Sequence, residues 1–86
     1  MINGKSKIYC IECLKKCFES ESFNKEQFTI SAVQKTTLIS FFEANEVISY
    51  GLDKGILLLN DLNFEAQTHY FRFSDPLKGD GLYAKN

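Results

Sequence analysis

The sequence predicts an α+β fold: two helices packed on one face of a small antiparallel sheet of three to four strands, in the order helix, short strand, helix and three-stranded meander. Three observations carry this expectation. Residues 5–19 repeat apolar side chains at helical spacing, residues 68–74 alternate along the chain, and the period changes near Glu46. A composition of 44% hydrophobic and 14% aromatic residues, with one proline and five glycines, belongs to a folded chain. At 86 residues it reads as a single domain, 1–86.

The first helix is expected over Lys5 to Glu19, where Ile8, Cys10, Ile11, Cys13, Leu14, Cys17 and Phe18 form one arc of the helical wheel. Glu12, Lys15, Lys16 and Glu19 form the other arc, with Glu12 and Lys16 four apart in the favourable order. Glu26 to Ser31 shows a brief alternation, Phe28 and Ile30 against Gln27 and Thr29, and reads as a short strand. Ser31 followed by Gln34 is a capping-box pattern that starts a second helix near Ala32 and runs it to about Asn45.

From Glu46 the chain reads as strand, tight turn and strand: Val47 to Leu52, then Asp53-Lys54-Gly55, then Ile56 to Leu59. Gly55 supplies the positive φ such a turn requires. After a polar connection, Thr68 to Ser74 places His69, Phe71 and Phe73 on one face and Tyr70 and Arg72 on the other. Asp75-Pro76 and Lys78-Gly-Asp-Gly81 end the regular structure, leaving 75–86 as a turn and loosely ordered C-terminal tail.

Charge and motifs narrow the function. Ten basic and 11 acidic side chains give a net charge of −1, which lacks the cationic excess that phosphate backbones attract. The N-terminus has no signal-peptide pattern and no run approaches a membrane span. Three cysteines within eight residues make a poor disulfide framework, so a reducing cytoplasmic setting is expected. Cys10, Cys13 and Cys17 sit at i, i+3 and i+7 within the apolar arc, a spacing that suits small buried hydrophobes.

Structural zinc needs four ligands, and His69 is the only other strong candidate; no metal or cofactor is therefore expected. His69 reads as a partly buried structural histidine, because a general base needs a nucleophile and an orienting carboxylate. Gly79-Asp-Gly81 lacks the helix and the Lys-Ser/Thr of a phosphate loop, and Asp53, Asp61, Glu65, Asp75 and Asp80 lack calcium-loop spacing. No enzyme signature emerges, and no catalytic residue is assigned.

Two functions from different classes follow. The first is a small non-enzymatic protein-binding domain of the inhibitor, immunity-protein, antitoxin or adaptor type, which occludes a larger partner such as a nucleic-acid-handling enzyme. Its expected contact residues are Lys15, Lys16, Tyr50, Tyr70 and Arg72, the last three sharing the free sheet face; Tyr and Arg dominate interface hot spots. Open strand edges would also accept a second copy, giving a homodimer.

The alternative is a nucleic-acid binder. A helix followed by Glu43-Ala-Asn-Glu-Val-Ile48 and then a hairpin resembles, in order alone, the recognition helix and wing of a winged helix. Lys5, Lys7, Lys15, Lys16 and Lys25 would supply a basic patch. Against it, the recognition helix would carry only Lys35 near its start and Glu43 and Glu46 at its end, and residues 28–38 leave too little chain for two further helices. The near-zero net charge is thus a sum over a basic N-terminal region and an acidic C-terminal half.

Overall fold

Helical spacing of Cys10, Cys13, Leu14 and Cys17 puts four small or medium apolar side chains on one face of α1 (Gly4–Glu19), and all four are buried. The computed structural model describes residues 4–63, 68–75, 77 and 82, the side chains of 4–7 and 61–63 excepted. The buried stripe is narrower than the sequence arc: Ile11 and Phe18 are half-buried, and Ile8 is 66% exposed. The helix ends where the Ser20 N–H bridges the carbonyls of Lys16 and Cys17, with Lys16 in the last turn where the helix dipole favours a cation.

The second expected helix is two helices. Helix α2 (Ile30–Thr37) stops at Leu38, which adopts a left-handed conformation with φ 58° and ψ 49°, and α3 (Phe41–Asp53) starts after Ser40. The capping box forms at Ser40 and not at Ser31: Ser40 Oγ accepts from the Glu43 N–H at 3.1 Å, and the Ser40 N–H donates to Glu43 Oε1 at 2.9 Å. Thr36, Thr37 and Ile39, all β-branched, lower the propensity of the stretch to continue as helix. Thr37 Oγ1 donates instead to the carbonyl of Val33 at 2.7 Å.

Residues 47–52 are helical, not a strand. Ala44, Val47, Ile48 and Gly51 recur at helical spacing and are all buried on one side of α3. Asp53-Lys54-Gly55 is accordingly a helix terminus and not a hairpin turn. Ile56 N–H donates to Gly51 O at 2.8 Å and Gly55 N–H to Leu52 O at 3.3 Å, the paired bonds of a Schellman cap. Gly55 does take a positive φ, 76°, as the residue just past the helix end.

Among the described residues the regular sheet has two strands, where the sequence predicts three or four. Strands β1 (Leu57–Asn63) and β2 (Thr68–Phe73) pair antiparallel from Leu57 opposite Phe73 to Asn63 opposite Thr68, with a bulge between Leu59 and Asp61. Beyond β2, the expected strand at 26–31 contracts to one bridge, Phe28 with Phe71, because Ile30 already begins α2. Its two backbone bonds are short, 2.8 and 2.7 Å, and Phe73 N–H adds a third to the Lys25 carbonyl at 2.9 Å. The polar connection at 64–67 lies outside the described residues, as does most of 75–86; Leu82 is buried with the core.

The core lies between the helices and one sheet face. Phe73 is 1% exposed and packs edge-on to Phe18 at 5.2 Å and near Phe28 at 5.6 Å, while Phe23 meets Phe28 at 4.7 Å. Helix α1 packs on α2 and α3, and α3 packs on β1. The closest fit is at Gly51, where a Cβ would lie 2.6 Å from the Leu57 side chain. Since Leu57 is fully buried and has nowhere to move, Gly51→Ala should lower the unfolding free energy by about 1–3 kcal/mol in urea denaturation, although alanine is the better helix former.

Candidate functional site

The stretch 28–38 holds one helix, α2, as its length requires, and α1 supplies the other in the order α1, bridge, α2, α3, β1, β2. Eight residues suffice for α2, so two helices do precede α3, and α3 leads directly into the hairpin as a recognition helix leads into a wing. What α3 presents is a separate matter. Its 13 residues carry Glu43, Glu46 and Asp53 and no lysine or arginine. A helix of that composition repels phosphate.

The five expected contact residues do not form one surface. Lys15 and Lys16 sit on α1, half-buried and exposed respectively. Tyr50 does not share the sheet face with Tyr70 and Arg72, because residues 47–53 are helical; it is half-buried on α3 and packs against the core. Tyr70 and Arg72 do alternate with the buried Phe71 and Phe73, and Arg72 stands opposite Leu58 on the face turned away from the core.

The cysteines are buried, free thiols. Cys10 Sγ donates to the Glu46 carbonyl at 3.7 Å, joining α1 to α3. Burial pushes all three thiols up, Cys17 to about 12, with Cys13 adding to the shift at Cys10 and Cys17. Thiols held in that state are poor nucleophiles. Among the described residues no three of His, Cys, Asp or Glu converge as a metal site, and none of the helices is long and apolar enough to cross a membrane.

His69 is exposed rather than half-buried. Its ring stacks on Phe71 at 6.4 Å and 18°, and it has no hydrogen-bond partner among the described residues. It borders a groove of about 430 Å³ between α3, the start of α2 and the start of β2. Ile30, Phe41, Ile48 and Phe71 supply its apolar part and Thr29, Ser31, Asn45 and Thr68 its polar rim.

Sequence reasoning missed the elbow between α2 and α3. Leu38 is 89% exposed, Phe42 79% and Phe41 51%. The two phenylalanine rings stand 6.3 Å apart in an edge-to-face arrangement, and Phe41 also walls the groove. The run Leu38-Ile-Ser-Phe-Phe42 falls inside the single helix expected from about Ala32 to Asn45. Only the break at Leu38 turns Leu38, Phe41 and Phe42 outward.

No family model matches the chain, and neither a curated protein nor a solved structure matches it.

The thiols set a pH dependence. Their folded-state values lie above the ordinary one, so the unfolded chain loses these protons first as pH rises. Their stabilising contribution is complete below about pH 8.5 and falls through the interval up to about 12. Unfolding free energy should therefore decline above pH 9 by denaturant titration, with a shallower decline for Cys17→Ala. A thiol reagent should label the cysteines only on unfolding.

Proposed function

We propose that this chain is a small non-enzymatic protein-binding domain of the inhibitor, immunity-protein, antitoxin or adaptor type, which occludes a larger partner through the α2–α3 elbow. The observation that carries this reading is Leu38. A leucine in the left-handed region costs about 1–2 kcal/mol relative to right-handed backbone, and at 89% exposure almost no burial offsets that cost. Glycine or asparagine would serve the helix end better. A residue unfavourable for the backbone and unrewarded by packing is accounted for if its side chain is buried elsewhere, against a partner.

Phe41 and Phe42 extend the same surface, and large exposed aromatics are the anchors on which protein interfaces concentrate their energy. The nucleic-acid reading has the helix–helix–hairpin order in its favour and the charge of α3 against it. An affinity for duplex DNA would have to come from α1 and its lysines, away from the helix that the order assigns to the groove.

Affinity purification of the tagged chain from its native cell should recover one protein in a fixed stoichiometry. Phe42→Ser and Leu38→Ser should each weaken that complex by about tenfold or more while circular dichroism and thermal midpoint stay near wild type. Undiminished recovery with both variants would overturn the elbow as the contact surface.

A further inference from the structure

We propose that the partner surface seated on the elbow is cationic, an amphipathic segment whose lysine or arginine side chains flank its apolar ones. This rests on the reading of the elbow as a docking surface and adds the chemistry of the occupant. From Thr36 to Asp53 the chain carries three carboxylates, Glu43, Glu46 and Asp53, and no cationic side chain, with Lys35 and Lys54 flanking the stretch. Phe42, Glu46, Ser49 and Asp53 stand at i, i+4, i+7 and i+11, which aligns them as one ridge along the side of α3 opposite its buried face.

Neither Glu43 nor Glu46 has an ion pair among the described residues, and Asp53 meets Lys54 only at 4.0 Å with both side chains well exposed. Asp53 also stands at the C-terminal end of α3, whose last turn holds no basic residue, so its charge opposes the helix dipole. The ridge thus joins the exposed Phe42 ring to the half-buried Glu46 and exposed Asp53 carboxylates, and a cationic amphipathic segment complements both.

The same charges decide against a second copy. Packing two elbows about a twofold axis would crowd the carboxylates of both chains, three from each against the two cations that flank the stretch, Lys35 and Lys54. Like charges in a closing interface are strongly unfavourable.

The test uses the full chain, labelled with nitrogen-15, and two synthetic 18-residue helical peptides that share an apolar Leu/Phe face. One carries lysine on its polar face and the other glutamate. The lysine peptide should shift the amides of Leu38, Phe42, Glu46 and Ser49, with affinity falling as salt is raised; the glutamate peptide should leave them unmoved. Glu46→Gln with Asp53→Asn should weaken lysine-peptide binding about tenfold, and Asp53→Asn alone, on an exposed side chain, should weaken it measurably. Equal binding of both peptides, indifference to the charge variants, or light scattering that shows the unliganded chain dimerising through these residues would overturn the inference. If both peptides bind equally and Phe42→Ser abolishes both, the elbow remains a docking surface and only its charge preference is wrong. If Phe42→Ser changes neither, the docking reading fails as well.

Discussion

The break at Leu38-Ile-Ser40 is the constraint on which the arrangement of this molecule depends. Left-handed backbone at Leu38 ends α2, and the reciprocal bonds between Ser40 and Glu43 start α3 two residues later. A continuous helix would have to choose one buried face for Val33, Ala44, Val47 and Ile48 together. Split in two, the chain buries Val33 and Thr37 from one segment and Ala44, Val47, Ile48 and Gly51 from the other. The second segment then delivers Leu57 against Gly51 and sets β1 in line with β2.

The break has a second effect, on the surface. By changing the direction of the chain between two packed helices it leaves Leu38, Phe41 and Phe42 outside the core. The interior is filled without them: phenylalanines from the loop after α1 and from β2 cluster against the thiols and Leu14 of α1. An apolar elbow and an acidic ridge therefore belong to the same helix that shapes the core, so a partner docked there would rest on a rigid element. The order of elements resembles a winged helix, but fold order alone does not assign function, and α3 carries three carboxylates and no lysine or arginine.

The sequence was most legible where one periodicity ran without competition. The helical stripe of Cys10, Cys13, Leu14 and Cys17 and the alternation of Tyr70 to Phe73 each match the structure. Between them two capping patterns compete, Ser31 with Gln34 and Ser40 with Glu43, and Thr29 at the true start of α2 makes no side-chain cap at all. Val47 to Leu52 contains enough β-branched and aromatic character to resemble a strand, and the burial of Ala44, Val47, Ile48 and Gly51 overrides that local preference. The exposed elbow was not legible, because an apolar residue carries no mark of which way its element will face. Leu38 in left-handed backbone cannot be read from propensity either, since leucine is among the residues least expected there.

If Leu38 is kept for what it touches and not for the fold, its side chain is dispensable to stability. Urea denaturation of Leu38→Gly measures this directly. Relief of left-handed strain is offset in part by the greater freedom of glycine in the unfolded chain, so the variant should be as stable as wild type or up to about 1 kcal/mol more stable. A loss of more than about 1 kcal/mol would show that the leucine holds the elbow together, and would contradict the assignment of this surface to a partner.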